Sequence, residues 1–184
     1  MRNLRFLICP NWTPSNGSEF TNRWTLIHEN DIRSLQEMRT ILDKPFQENL
    51  AAGAKVTFFQ GRKGDSPDFM IDGNPETCWT SGSDTAIAVS KERPVTLEID
   101  LGREKIFDLA MLQEYIRRGE RVEEFVLQAW DGEIWEPFVR GTTIGYKRLL
   151  LFPAIQAQKV RLVITKARAF PSLSEFGLFK APSD

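Results

Sequence analysis

Pro94-Val95-Thr96-Leu97-Glu98-Ile99-Asp100-Leu101-Gly102 alternates apolar and polar residues without a break, and its reading decides the fold. In extended backbone successive side chains point to opposite faces, so Val95, Leu97, Ile99 and Leu101 share one face of a half-buried strand. The same period of two returns in Phe125-Val126-Leu127-Gln128-Ala129, in Leu149 and Leu151, and in Val160, Leu162 and Ile164. Asp131-Gly132, set between Trp130 and Trp135, is a hairpin turn signal. Gly141-Thr142-Thr143-Ile144-Gly145 is turn-like, and Pro153 and Pro171 fall between the expected strands. Roughly seven or eight short strands about ten residues apart, with no helix between them, predict an all-β antiparallel β-sandwich.

Upstream of Lys55 the pattern differs. Residues 1–25 show no period and read as an irregular segment; Pro10, Pro14 and Asn16-Gly17-Ser18 are loop formers. Residues 26–53 read as a helical linker. Asn30 or Asp31 can cap a helix over about 31–43 on which Ile32, Leu35, Met38 and Leu42 recur at three- and four-residue spacing, and Pro45 ends it. Residues 54–181 form the sandwich. The apolar helix face must be covered by the sandwich, by the N-terminal segment, or by another subunit, which makes a homodimer through that face one expectation.

Composition narrows the function classes. The chain has 184 residues, 24 Lys and Arg against 25 Asp and Glu, and a net charge of −1. That balance argues against a nucleic-acid partner, which draws a basic excess or a basic face. No apolar run approaches the roughly 18 residues of a membrane span. The opening Leu4-Arg5-Phe6-Leu7-Ile8-Cys9 is too short for the core of a signal peptide, so no export signal is expected in this chain and its compartment stays open. Cys9 and Cys78 form no CxxC pair and read as two reduced, partly buried thiols in preference to a Cys9–Cys78 disulfide.

Catalytic machinery finds little support. His28 is the only histidine and precedes the sandwich, and no serine sits in a G-x-S-x-G elbow. Binding chemistry is better represented. Asp72-Gly73 makes a tight turn from which Asn74 and Thr77 can aim oxygens at the centre that Asp72 faces, as calcium requires; a plain turn uses the same residues. Trp79, Trp130 and Trp135 can each cover the apolar face of a pyranose or fill the core. Arg117-Arg118-Gly119-Glu120-Arg121 is a basic loop between strands, able to donate hydrogen bonds to sugar hydroxyls or to remain solvated.

Ile71-Asp72-Gly73-Asn74-Pro75-Glu76-Thr77-Cys78-Trp79 followed by Leu97-Glu98-Ile99-Asp100-Leu101-Gly102 resembles the opening of discoidin domains, also called coagulation factor 5/8 type C or carbohydrate-binding family 32 modules. Met111-Leu112-Gln113-Glu114, Gly119-Glu120-Arg121-Val122, Gly141 through Leu149, Arg168-Ala169 and the stretch Leu26–Leu35 look like the C-terminal part of family 29 α-L-fucosidases. The resemblance implies a jelly-roll-like, galactose-binding-domain-like sandwich with one N-terminal helix. It also implies a structural Ca²⁺ held by the side chains of Asp72, Thr77 and Glu175, with backbone oxygens near Phe69, Asn74 and Ser174. In fucose-binding relatives, arginines of the loop after the strand at 107–113 hold the sugar, and Arg117, Arg118 and Arg121 occupy that loop. The family's catalytic residues sit in a barrel that these 184 residues do not contain, so none carries over. The expectation is therefore a non-catalytic accessory module that binds a fucose- or galactose-type glycan through loops at one end, Trp79 included, and can pack against a glycosidase catalytic domain. A structural interaction domain without sugar binding, or a fucosidase fragment, is the alternative.

Overall fold

Alternation at Val95–Leu101 becomes a strand whose inward residues are almost wholly excluded from water, with Leu97 and Ile99 at 0% exposure in the computed structural model. The structure describes residues 46–59, 66–82 and 89–181, together with Arg33, Gln36 and Glu37. The chain divides into two units, Met1–Lys44 and Pro45–Asp184. In the first, Arg33, Gln36 and Glu37 are helical. Ile32, Leu35, Met38 and Leu42, the dimer face expected of them, residues 1–25, His28 and Cys9 lie outside the described residues. Cys78 carries a free thiol.

The second unit is an antiparallel β-sandwich of seven described strands: β1 (Lys55–Phe59), β2 (Trp79–Thr80), β3 (Val95–Glu114), β4 (Val122–Trp130), β5 (Trp135–Gly141), β6 (Arg148–Ala167) and β7 (Ser172–Phe179). Hydrogen bonding runs in the order β2-β7-β3-β6-β4-β5, and β1 pairs with β3. Two strands are far longer than the alternation predicts. β3 holds β1 along its first half and β7 along its second, while its ladder with β6 slips register between Asp100 and Lys105 and again between Phe107 and Leu109. Such irregularities bend a strand, so one strand serves both layers. Pro153 lies inside β6, not between strands. It sits in the second irregularity, between Leu151 paired with Leu109 and Ile155 paired with Phe107, where no ladder donor is required of it. Leu149 and Leu151 alternate as expected but face outward, 48% and 76% exposed.

Phe107, Leu112, Phe125, Leu127, Leu162, Ile164, Phe176 and Trp79 fill the space between the layers. The segment before β1 is tied to β7: the Asn49 side-chain carbonyl accepts from the Leu178 N–H at 3.1 Å, its amide donates to the Phe176 carbonyl, and Phe46 meets the Phe179 ring edge-on at 5.2 Å. With β2, β3 and this segment around it, every residue of β7 is buried. Among the described residues no helix is long and apolar enough to cross a membrane.

Candidate functional site

The candidate residues lie in the segment before β2, in the loop between β3 and β4, and on β7. A short 3-10 turn, Pro67–Met70, leads into Ile71–Cys78 and packs on β7 and β2. Asp72 organises the chain from Gly73 to Thr77. One of its oxygens accepts the Asn74 N–H at 2.8 Å and the other accepts the Thr77 hydroxyl at 2.7 Å; that hydroxyl also lies 2.8 Å from the Asn74 carbonyl. Gly73 takes φ +76°, a left-handed conformation that lets the backbone reverse here. Asp72, Asn74 and Thr77 thus share one small turn, as the spacing implied.

β7 supplies the other half. Leu173 pairs with Glu114 and Glu175 with Gln113, so Ser174 is an extra residue without a partner in the β3 ladder. Bulges of this kind re-aim neighbouring groups. Glu175 is 5% exposed and its Oε1 has no hydrogen-bond partner. Burial, then the Asp72 carboxylate, push its pKa up to about 7, and Lys147 pulls it part of the way back. A buried carboxylate oxygen left orphaned beside a second carboxylate fits a cation ligand, since an unpaired buried acceptor otherwise carries its full desolvation cost. Phe69 lies on the turn itself and is 37% exposed. Among the described residues no three His, Cys, Asp or Glu side chains cluster. The set offers two carboxylates, one hydroxyl and backbone carbonyls, an all-oxygen set of the kind calcium accepts.

The arginine loop lies against this turn, and the structure uses its three arginines differently. Arg121 is committed to bracing: Nε donates to the Arg118 carbonyl at 3.0 Å and Nη1 to the Phe170 carbonyl at 2.8 Å. Arg118 donates one N–H to the Thr80 hydroxyl at 2.5 Å. Arg117 pairs with Glu76, and both side chains are more than 60% exposed. The guanidinium carbons of Arg117 and Arg118 lie 6.0 and 5.9 Å from the centre of the Tyr115 ring. Trp79 is a correction to the expected site. It is 1% exposed and packs edge-on against Phe58 at 5.0 Å, so its ring is core and offers no stacking face to a ligand.

Glu114 holds the loop in place and was not singled out by the sequence reading. Its Oε1 accepts the N–H groups of Arg121 at 2.7 Å and Val122 at 2.9 Å, and its Oε2 accepts that of Gly145 at 2.9 Å. One buried carboxylate therefore joins the end of β3, the start of β4 and the 142–147 loop. The signal was available: Glu114 falls two residues after Leu112, on the inward face of β3. Glu76 gave no comparable signal, because only folding brings it beside Arg117.

A two-layer antiparallel sandwich with a pinned loop and an oxygen-rich turn at one end has the architecture of discoidin-like binding domains. The F5/8 type C domain family model matches residues 52–176, and the chain belongs to that family. It is 36% identical over 161 residues to the Oryza sativa subsp. japonica protein called "Putative alpha-L-fucosidase 1" and 32% identical over 159 residues to the Arabidopsis thaliana α-L-fucosidase 1; each match takes in 84% of this chain. The chain spans about 30% of the length of these curated relatives. A solved Ruminococcus gnavus GH29 fucosidase in complex with fucose matches 85% of this chain and 31% of its own at a TM-score of 0.68 and 29% identity. The family 32 carbohydrate-binding module of C. perfringens NanJ, solved with galactose, aligns over 69% of this chain and 93% of its own at a TM-score of 0.60 and 16% identity, a likeness of fold. The chain thus corresponds to the discoidin-like, C-terminal domain of α-L-fucosidases.

Proposed function

We propose that this chain is a non-catalytic carbohydrate-binding accessory module of the α-L-fucosidase type, which holds a fucose- or galactose-type sugar at its loop end. One observation carries the reading: the exposed guanidinium groups of Arg117 and Arg118 gather beside the half-buried Tyr115 ring on a loop fixed by Glu114. A guanidinium has five N–H donors, so Arg118 keeps most of its donors after its bond to Thr80, and Arg117 has to give up only an exposed ion pair. The Tyr115 ring supplies an apolar surface for a pyranose. Arg121 serves as a positioning residue. So small a contact gives weak binding, on the order of 10⁻³ to 10⁻⁵ M. Isothermal titration with fucose and galactose tests the proposal. The expected result is binding that Arg117→Ala weakens at least tenfold; no heat at millimolar sugar refutes it.

The same reading includes a structural calcium ion held by Asp72, Thr77 and Glu175 with the backbone of Phe69, Asn74 and Ser174. It would fix the 66–78 loop to β7 and neutralise Glu175; it supplies no bond-making chemistry. Calcium added to the chelator-treated chain is expected to raise the unfolding temperature, and Glu175→Gln is expected to abolish the rise. A second role, packing against a glycosidase catalytic domain, is favoured by the outward row of Leu149 and Leu151 on β6.

A further inference from the structure

Beyond the loop end, a cavity of about 520 Å³ opens over the sheet formed by β4, β5 and β6. Its walls include Lys91, Glu124, Arg140, Thr142 and Thr165, and Val126 lies at its floor. It shares no residue with the calcium turn or the Tyr115 patch. The strand geometry explains the arrangement. Val126 pairs with Arg140 on one side and Val163 on the other, and Glu124 lies two residues back along β4 on the same outward face.

These polar groups are free to meet a ligand. Lys91 and Arg140 make no ion pair or hydrogen bond among the described residues; Lys91 acts electrostatically on its chain neighbour Glu92. The nearby pairs are made by other residues, Glu123 with Lys166 and Arg168, which leaves Glu124 unpaired among the described residues. The hydroxyls of Thr142 and Thr165 are likewise uncommitted there. The lining therefore carries two cations and one carboxylate, an excess of one positive charge over an apolar floor. A volume of this size suits a small molecule, and the mixture of hydroxyls, one acceptor carboxylate and an apolar patch matches a sugar ring.

We propose that this sheet-face cavity is a second saccharide site and that it takes an acidic sugar unit, with Arg140 and Lys91 on the anionic group and Glu124, Thr142 and Thr165 on ring hydroxyls. Arg140 is the anchor because its fork matches a carboxylate or a sulfate in two parallel bonds. The face continues away from the cavity along β4. Gln128 accepts from the Arg161 Nε at 2.6 Å, Arg161 lies 4.4 Å over the Trp135 ring, and Trp135 pairs with Trp130, roughly 13 Å from Val126 at ~3.3 Å per residue. That run leaves room for further units of a chain.

The test is titration of the full chain with trigalacturonate, with a 6-sulfated galactose disaccharide and with neutral galactotriose, reading both heat and the amide shifts of Thr142 and Thr165. Shifts of the Thr142 and Thr165 amides by either acidic probe, with an affinity that Arg140→Ala and Lys91→Ala each weaken at least tenfold, support the site, and they persist when Arg117→Ala disables the loop end; which acidic probe shifts them separates carboxylate from sulfate. Three results each overturn the proposal: equal shifts of the Thr142 and Thr165 amides with the neutral trimer, shifts lost in Arg117→Ala and kept in Arg140→Ala, or no shift with either acidic probe at millimolar concentration. Because Arg117 tests the loop end and Arg140 the sheet face, failure of one reading leaves the other intact.

Discussion

Replacing Glu114 with glutamine changes one atom and tests how the loop end is built. The carboxylate accepts three backbone N–H groups, two on Oε1 and one on Oε2, at 2.7–2.9 Å. An amide has one acceptor oxygen and one donor NH₂. With its oxygen toward Arg121 and Val122 it keeps two bonds, now neutral and weaker, and sets its NH₂ against the Gly145 N–H. The reverse orientation is worse, because two backbone donors then face the amide nitrogen. A bond to a charged acceptor contributes about 1.5–3 kcal/mol against about 1 for a neutral one, and an orphaned buried N–H costs about 1–3 kcal/mol. Relief of the buried charge offsets part of this, so the expected net loss is about 3 kcal/mol. For a unit of this size that is a fall of about 10 °C in Tm. Thermal and urea unfolding of Glu114→Gln, beside Glu133→Gln in the exposed β4–β5 turn, measures it. Hydrogen exchange should quicken first at Arg121, Val122 and Gly145. A Glu114→Gln chain within about 2 °C of wild type, with those amides still protected, would show that the carboxylate does not hold the loop and would remove the basis for a preorganised arginine patch.

Glu175 predicts a pH dependence for the calcium-free chain. Its carboxyl is raised from 4.5 to about 7, so its favourable contribution is complete below the unfolded value and is lost as pH rises through 7; the loss over this window is about 3 kcal/mol, seen as the difference between wild type and Glu175→Gln in urea unfolding. A pH-independent difference refutes it. Gly141→Ala should cost about 1–3 kcal/mol, because a methyl there meets the buried Phe125 ring at 2.3 Å, and unfolding checks this directly. Trp79→Ala should destabilise by about 3–5 kcal/mol as a core cavity, with any loss of sugar affinity recovered in the folded fraction. Sugar affinity that falls while stability holds would return Trp79 to the binding surface.

The class of fold was legible because a half-buried strand writes its period into the chain: Val95, Leu97, Ile99 and Leu101 are inward where alternation places them. Strand length was not. The alternation stops at Leu101 and Pro153 reads as a break between strands, yet Gly102, at a left-handed φ of +76°, and Pro153, at a register slip, both lie inside long strands. A bulge and a terminus call for the same residues, and only the partner strand distinguishes them. The Asp72 turn was partly legible, since Asp72, Asn74 and Thr77 are local. The burial of Glu175 and the bulge at Ser174 depend on strands far apart in sequence. Trp79 was misleading for the same reason: the residue type suits both a sugar platform and a core, and Phe58 on β1 decides between them.

The three arginines differ in how firmly the fold holds them, which on the proposed reading separates positioning from recognition. Arg121 is committed to two carbonyls on different segments, so removing it should loosen the loop and weaken any ligand indirectly, through Arg118. Arg118 is half committed, held by Thr80 at one nitrogen. Arg117 is held only by an exposed pair with Glu76, worth at most about 1 kcal/mol, which a ligand hydroxyl or carboxylate can replace at little cost. Affinity should therefore be most sensitive at Arg117 and stability most sensitive at Arg121. That order is what the proposed site requires: Arg117 would be free to exchange its partner for a sugar because Arg121 keeps its two carbonyls and holds the loop.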